Sequence, residues 1–204
     1  MELVVYVDFG SPQARLALNP TRRLAKETGI ALDWRPMSRK PRPHRTGDTR
    51  SKGARHARIR AEYRRREESF YAEQQGLSLV YPDAKRESFA ANAGLAWLRR
   101  QHGPFEPEID AYVAGVFERV WRGAMDPCDR KAVRAAIAAE HGFAEGLDAW
   151  FDEQAEAHLE SYRQQALEQG VVDVPGYVLN GEPFVGRANL PIIRSLLADG
   201  RNTA

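Results

Sequence analysis

A serine stands at the junction between an apolar run and a helical pattern near the start of the chain. The apolar run, residues 3–7, is typical of a buried strand, and Gly10 permits the tight turn that follows it. Ser11 can cap the next helix with its hydroxyl, and Pro12 suits the first helical turn. The pattern predicts a hydroxyl beside free backbone N–H groups and the positive end of a helix, which together favour anions. A helix cap without chemistry is the alternative interpretation of the same residues.

Turn signals near the C-terminus mark a second region in which backbone geometry can build a site. Residues 177–179 and 183–185 are short strands, and Asn180-Gly181 between them is the strongest two-residue hairpin signal. The apolar spacing from Leu190 onward predicts a closing helix. With the strand–helix–strand order at the start of the chain, this hairpin and helix predict an α/β protein with a thioredoxin-like fold, β-α-β then β-β-α.

The elements that position these two regions follow from periodicity and turn residues. We predict a first strand over residues 2–9, a helix over 12–28, a second strand over 30–36, and then helices over 54–75, 86–102, 107–122, 126–141 and 144–169. The middle of the chain is therefore a long all-helical insertion. We assign residues 1–40 and 170–204 to a discontinuous thioredoxin-like domain, and residues 41–169 to a basic loop plus helical insertion domain.

The two ends of the chain resemble the DsbA-like superfamily. Within it they are similar to the branch of 2-hydroxychromene-2-carboxylate isomerases and kappa-class glutathione transferases, which use Ser-Pro at the first strand-to-helix turn. The residues that carry the resemblance are Phe9-x-Ser11-Pro12, Val174-Pro175 and Phe184-x-Gly186. Redox members have Cys-x-x-Cys at this turn, whereas the matching residues here, Ser11 to Ala14, contain no cysteine. The resemblance thus implies a protein that is not a disulfide oxidoreductase.

The chemistry expected of Ser11 is that of a hydroxyl donor. No Gly-x-Ser-x-Gly motif surrounds it and no triad partner lies nearby in the sequence, so a serine nucleophile is disfavoured. A hydroxyl at a helix N-terminus stabilises a bound thiolate, and the resemblance implies that this thiolate belongs to glutathione. It implies an isomerase in which the thiol adds to an activated double bond, the adduct rotates and the thiol leaves. A kappa-class-like glutathione transferase and a non-catalytic thioredoxin-like binding module are the alternatives.

The resemblance also implies which residues hold glutathione. It implies a cis peptide bond before Pro175, with the N–H and C=O of Val174 free to bind glutathione as a short added strand. Arg187 and Asn189 lie just beyond the hairpin, where relatives hold the γ-glutamyl end, and both can contact its carboxylate. Ala188 departs from the family, because relatives have an acidic residue there that can pair with the glutamyl ammonium.

The positive charge of the chain is concentrated in one segment. Residues 39–66 contain twelve Lys or Arg and two acids, a net charge of +10, whereas the whole chain carries +2 and the remainder −8. This split predicts an anionic partner, and Arg60 and Tyr63, three apart on one helix face, are candidates for binding an aromatic or unsaturated carboxylate substrate. A solvated basic surface and a nucleic-acid site are the alternatives, and the sparse aromatic residues disfavour the second.

Cysteine content and hydropathy limit the remaining classes of function. The single cysteine, Cys128, excludes a disulfide within the chain, and its place near a predicted helix start either lowers the pKa of its thiol or has no chemical role. There is no apolar run of about 18 residues and no signal-peptide pattern, so we expect a cytoplasmic protein without a membrane span. The five histidines show no zinc-ligand spacing, so we expect no metal. Relatives are often homodimers, and the resemblance extends that expectation here.

Overall fold

The computed structural model describes residues 1–38, 52–81 and 87–202. In chain order the elements are β1 (Glu2–Val7), α1 (Pro12–Thr28), β2 (Ala31–Pro36), α2 (Lys52–Gln74), α3 (Phe89–His102), α4 (Pro107–Trp121), α5 (Arg130–His141), α6 (Leu147–Glu153), α7 (Ala155–Glu168), β3 (Gly176–Leu179), β4 (Glu182–Val185) and α8 (Leu190–Asn202). A 3-10 turn, Arg187–Asn189, precedes α8. Over the described ranges, each helix is too short or too polar to cross a membrane.

The chain divides into two units when grouped by its internal contacts. One unit consists of Met1–Arg39 together with Val80–Ala204, and the other is Lys40–Leu79. The first unit holds all four strands and seven of the helices found in the described residues, and the second holds α2. Most of the helical insertion therefore belongs to the same unit as the sheet.

Four strands form one mixed sheet in the order β2-β1-β3-β4. β1 pairs with β2 in parallel and with β3 antiparallel, and β3 pairs antiparallel with β4. Asn180 and Gly181 between β3 and β4 have φ angles of +52° and +85°, the positive values that a type I′ hairpin turn requires. The predicted thioredoxin-like order, β-α-β then β-β-α with helices inserted between the halves, is confirmed.

Local sequence signals set both ends of α1. Ser11 has an extended backbone and its Oγ accepts the N–H three residues further on at 3.3 Å, while Gly29 ends the helix in the left-handed region at φ +71°. Pro20 lies inside the helix, where a proline costs about 3 kcal/mol. The buried side chains of Leu16 and Leu24 offset this cost, since burial of a leucine contributes roughly 2 kcal/mol.

Helices cover both faces of the sheet. The hydroxyls of Tyr177 in β3 and Thr21 in α1 form a hydrogen bond of 3.0 Å, so this face of the sheet meets α1. The next residue, Val178, points to the opposite face, where it joins a buried cluster with Val4 of β1 and Ala166 of α7. α8 packs beside α1, while α3 and α7 pack against β2. The insertion helices are thus part of the layer that buries the sheet.

A buried charge network joins the sheet to the insertion helices. The Asp33 carboxylate of β2 accepts a hydrogen bond from Arg99 of α3 through one oxygen and pairs with Arg35 at 2.6 Å through the other. Arg99 also donates to the Trp34 carbonyl at 2.6 Å and to the Tyr162 hydroxyl of α7 at 3.0 Å. The Arg99 and Asp33 side chains are only 9% and 3% exposed, so neither charge can exchange its partner for water.

The single helix predicted over residues 144–169 is wrong, because two helices, α6 and α7, occupy most of this stretch. Gln154 leaves helical geometry between them, with φ −129° and ψ −28°. Its side-chain oxygen accepts a hydrogen bond of 2.9 Å from Arg100 of α3. Because the chain turns at Gln154, α6 and α7 both pack on α3. This break has no Gly or Pro signal and depends on tertiary packing.

The predicted start of α5 at Asp126 is also wrong, because the helix begins four residues later at Arg130. Asp129 is its cap, with a carboxylate that accepts the N–H groups of two first-turn residues at 2.8 and 3.2 Å. Asp126 instead accepts the Cys128 N–H at 2.9 Å in a short turn before the helix. The chain offers two Asp caps three residues apart, and the second is used.

We expect the Arg99→Leu substitution to lower the free energy of unfolding by about 3 kcal/mol, because it leaves the buried Asp33 carboxylate without one of its two cations. Arg100→Leu is the matched control on the same helix. Arg100 is exposed, donates to a neutral amide and lies 5.8 Å from the centre of the Trp150 ring, so its loss should cost less than about 1 kcal/mol. Urea unfolding followed by circular dichroism measures both, and equal losses would contradict a structural role for the buried pair.

Candidate functional site

Three segments singled out in the sequence meet at one end of the sheet. Tyr6, near the end of β1, pairs with Gly176 at the start of β3, so the turn after β1 and the Val174–Pro175 segment before β3 lie side by side. Gly176 also pairs with Val185 at the end of β4. The 3-10 turn Arg187–Asn189 therefore leaves the sheet at the same end. The register brings together Ser11, Val174, Pro175, Arg187 and Asn189, as the resemblance implies.

The turn that carries Ser11 is held by a buried carboxylate. Asp8 is 5% exposed, and its Oδ1 accepts the Gly10 N–H at 3.0 Å and the Asn92 side-chain amide at 3.4 Å. The Ser88 hydroxyl donates to the same oxygen. The Asp8 carbonyl accepts the Ser11 N–H at 2.9 Å. Residues at the start of α3, more than 75 positions away in sequence, thus fix the geometry of the turn.

α4 holds the same turn from another side. The Trp121 indole donates to the Phe9 carbonyl at 3.0 Å. The Phe9 ring packs on Tyr112 and Phe117, with ring centroids 5.8 and 4.7 Å apart. Phe9 and Phe117 are fully buried, so this contact adds the burial of two large rings to the hydrogen bond. The insertion helices therefore position Ser11 as much as the sheet does.

Ser11 lies at the N-cap position and is fully buried, with 0% of its surface exposed. Its Oγ accepts the Ala14 N–H at 3.3 Å, and no acceptor among the described residues takes the hydroxyl hydrogen. The expectation of free N–H groups around it is wrong for four of these groups. The N–H groups of Phe9, Gly10, Ser11 and Ala14 already have acceptors within the protein. The hydroxyl is thus the donor that Ser11 itself can offer to a ligand.

The segment before β3 has the predicted position and one unexpected hydrogen bond. The Val174–Pro175 peptide bond is cis, and both residues are buried. The expectation of a free Val174 N–H is wrong, because it donates to the Asp173 side chain at 2.9 Å. The Val174 carbonyl has no hydrogen-bond donor among the described residues. One of the two expected backbone contacts to a peptide ligand is therefore open and the other is occupied.

The turn beyond the hairpin is stabilised by one of the predicted ligand contacts. The Asn189 side-chain amide donates to the Val185 carbonyl at 2.7 Å, which leaves its oxygen as the group that could face a ligand. Arg187 is half-buried and lies close enough to the Tyr177 hydroxyl to influence its ionisation. Ala188 is exposed. Arg187 and Asn189 remain predicted contacts for a carboxylate.

The other predicted functional residues belong to none of these three segments. Arg60 and Tyr63 are exposed on α2, in the unit formed by Lys40–Leu79, and their role in substrate binding stays a prediction. Of the basic segment 39–66, residues 39–51 lie outside the described residues. Burial raises the pKa of the Cys128 thiol, which opposes the reactive thiolate considered from its sequence position. No group of three or more potential metal ligands occurs within the described ranges.

Sequence reasoning missed three residues that shape the site. Asp8 and Asn92 form the network under the turn, and neither has a local pattern that reveals a partner more than 80 positions away. Arg15 lies on α1 one turn after Ser11 and is only 8% exposed. Its Nε and Nη1 have no hydrogen-bond partner, and burial lowers the pKa of its guanidinium. A charged residue four positions from a helix cap would have been a sequence signal for Arg15.

The comparisons with known proteins agree with this fold. The family model described as DSBA-like thioredoxin domain matches residues 2–198. A 2-hydroxychromene-2-carboxylate isomerase from Sphingobium xenophagum is 24% identical over 198 residues, which are 95% of this chain and 96% of that protein. The resemblance drawn from the two ends of the chain is confirmed.

Solved structures show the same fold at low sequence identity. A 2-hydroxychromene-2-carboxylate isomerase structure has a TM-score of 0.75 at 23% identity, with coverage of 100% of this chain and 96% of that one. The cytosolic disulfide reductase DsbM from Pseudomonas aeruginosa, solved with GSH, has a TM-score of 0.65 at 18% identity, with coverage of 99% and 100%. Both alignments span the sheet and the insertion together.

We expect Asp8→Ala to lower the free energy of unfolding by about 3 kcal/mol, because three donors under the turn lose a shared buried acceptor. Asp126→Ala is the matched control, since its exposed carboxylate accepts a backbone N–H two residues on in the same way. That substitution should cost less than about 1 kcal/mol. Urea denaturation of both variants measures the difference. If Asp8→Ala lowers the free energy of unfolding no more than the control does, the network does not support the turn.

Proposed function

Because the chain belongs to the DSBA-like thioredoxin domain family, we propose that it is a glutathione-dependent isomerase of the 2-hydroxychromene-2-carboxylate isomerase type. The observation that carries the proposal is the Ser11 hydroxyl, whose hydrogen has no acceptor among the described residues at the N-terminus of α1. A donor at this place suits a ligand thiolate. The similarity to an isomerase along nearly its whole length supports the same class.

The residues of the first turn argue against dithiol chemistry. Ser11 and Ala14 stand at the two positions that hold cysteines in redox members of the resembled family. The only cysteine of the sequence, Cys128, lies before α5 and has a thiol whose pKa is raised by burial. The sulfur for a thiol-dependent reaction must therefore come from a bound molecule.

The residues present fit glutathione in part. The Ser11 hydroxyl and the open Val174 carbonyl can accommodate a thiol and a peptide N–H, whereas the Val174 N–H is occupied by Asp173. Arg187 and Asn189 are proposed to contact the γ-glutamyl carboxylate. Ala188 supplies no charge for the glutamyl ammonium, so the affinity should depend on the backbone and Ser11. A neighbour in fold, the disulfide reductase DsbM, was solved with GSH, which supports this choice of thiol.

When bound, glutathione supplies a thiol group that can add reversibly to an activated carbon–carbon double bond. Ser11 donates its hydroxyl hydrogen toward the sulfur and, with the positive end of α1, stabilises the thiolate form. The buried turn excludes water from this donor, which strengthens the interaction. Because the thiol would be recovered at the end of the reaction, the chemistry that glutathione would supply here is that of a reversible catalyst of isomerisation. We propose Arg60 and Tyr63 as contacts for an aromatic or unsaturated carboxylate.

A non-catalytic thioredoxin-like binding module is a second candidate. The occupied Val174 N–H and the exposed Ala188 both favour it, because each removes a contact that would hold glutathione. The two candidates differ in their response to a thiol. Only the enzyme requires saturable thiol binding that depends on Ser11.

We expect glutathione to bind the wild-type protein saturably in a calorimetric titration and Ser11→Ala to weaken this binding about tenfold or more, the loss expected for a hydrogen bond to a charged group. Ser195→Ala, at an exposed hydroxyl on α8, should bind like the wild type. Ser11→Gly separates the thiol role from the cap, because glycine is accepted at an N-cap at little cost in stability but offers no hydroxyl to a thiolate. It should also lose binding while its thermal unfolding stays close to that of the wild type.

An absence of heat in all four proteins at millimolar glutathione would contradict the proposed cofactor. The binding-module candidate would then be the better account of the fold. Equal binding by the wild type and Ser11→Ala would instead support glutathione as the ligand but show that its thiol does not bind at Ser11.

We also expect the wild-type protein to convert 2-hydroxychromene-2-carboxylate only when glutathione is present, because Ser11 and Ala14 replace the cysteines of redox relatives and burial raises the pKa of the Cys128 thiol. Ultraviolet absorbance of the substrate follows the reaction directly. Ser11→Ala should reduce kcat/KM by about a hundredfold, the range for loss of one charge-stabilising donor. A rate unchanged by omission of glutathione would exclude the thiol mechanism.

A further inference from the structure

Arg15 is a buried cation that the protein does not pair. Its side chain is 8% exposed, and both Nε and Nη1 are sealed from water without a hydrogen-bond partner. Buried arginine side chains are normally hydrogen-bonded or paired with acids, because an isolated buried charge is costly. The unsatisfied nitrogen atoms therefore indicate a binding function.

No acid of the described residues satisfies this guanidinium. Arg15 forms no ion pair with any of them, although the charge of Glu118 acts on it from α4. Glu118 is itself paired with Arg122 at 3.1 Å. The Asp8 carboxylate already accepts hydrogen bonds from the Gly10 N–H and from the side chains of Ser88 and Asn92. The guanidinium thus lacks an anionic partner within the described residues, and a bound anion would supply one.

The placement of Arg15 directs it toward the Ser11 turn. Side chains on an α-helix lean toward its N-terminus, and Ser11 lies one turn earlier on α1. Glu118 and Arg122, whose charges act on Arg15, flank Trp121 on α4, and the Trp121 indole binds the Phe9 carbonyl of the turn. The guanidinium and the turn therefore face the same end of α4.

We propose that Arg15 binds the carboxylate of the substrate next to Ser11 and makes the site selective for acids. This inference rests on the proposed function for the identity of the substrate as an unsaturated carboxylate. An arginine fork matches the two oxygens of a carboxylate and keeps its charge at all physiological pH values. The backbone N–H groups of the turn are already occupied, so the guanidinium is the group near Ser11 best able to neutralise such an anion.

The test uses cinnamate, an unsaturated aromatic acid, and cinnamamide, its uncharged amide of nearly the same shape. We expect the wild type to bind cinnamate at least about tenfold more tightly than cinnamamide in calorimetric titrations, the ratio expected for a charge-assisted hydrogen-bond pair. Arg15→Met should reduce cinnamate binding to the level of the amide. Arg15→Lys keeps the charge without the fork and should retain part of the preference.

Arg23→Met is the matched control, because it removes an equally charged but exposed side chain from the same helix. It should keep the full preference for cinnamate. Thermal unfolding supplies a second readout: Arg15→Met should melt at the same or a higher temperature, since a well-packed apolar side chain replaces an unpaired buried charge. A residue kept only for folding would give the opposite result, a lower melting temperature with unchanged selectivity.

The acid-binding role of Arg15 is overturned if Arg15→Met keeps the preference for cinnamate or if the wild type has none. Glutathione titrations of the same samples distinguish this failure from that of the proposed function. If glutathione does not bind but the Arg15-dependent preference persists, the proposed cofactor fails and the acid site stands. If glutathione binds through Ser11 while the preference is absent, the cofactor stands and the acid site fails.

Discussion

The Asp8 carboxylate is the contact on which the geometry of the candidate site depends. It lies at the end of β1, accepts the Gly10 N–H of the following turn and is held by Ser88 and Asn92 at the start of α3. A buried carboxylate that satisfies several donors fixes them relative to one another, since each donor left unpaired would cost about 1–3 kcal/mol. The position of Ser11 is therefore coupled to the helical insertion, although its own secondary structure is set locally.

A second, independent network joins the sheet to insertion helices that belong to the same unit. Arg99 of α3 bonds the Asp33 carboxylate, the Trp34 carbonyl and the Tyr162 hydroxyl, so it links β2 to α3 and α7 at once. The Phe9 ring and the Trp121 indole connect α4 to the turn in the same way. In this arrangement α3 and α4 both contact the turn that carries Ser11, so they support the site and do more than cover the sheet.

Features with a local cause were predictable from the sequence. The Ser11 cap, the Gly29 end of α1 and the Asn180-Gly181 hairpin each rest on backbone preferences of residues a few positions apart. Features with a distant cause were not. The break at Gln154 depends on Arg100 and on packing against α3, and the loss of the free Val174 N–H depends on a rotamer of its neighbour that no periodicity encodes. For the site, sequence reasoning located the backbone segments. It missed Asp8 and Asn92, which fix the turn, and the buried cation Arg15.

The electrostatics of the site depend on which hydrogen-bond donors have no acceptor within the protein. Because the turn N–H groups are consumed internally, an anion near α1 meets the helix dipole, the Ser11 hydroxyl and the Arg15 guanidinium rather than a cradle of backbone amides. Four residues of helix separate the two side chains by roughly 6 Å along the axis. The long Arg15 side chain leans back toward Ser11 over part of this distance, so under the proposed function a sulfur at Ser11 and the substrate carboxylate at Arg15 would be neighbouring anions, each with its own donor.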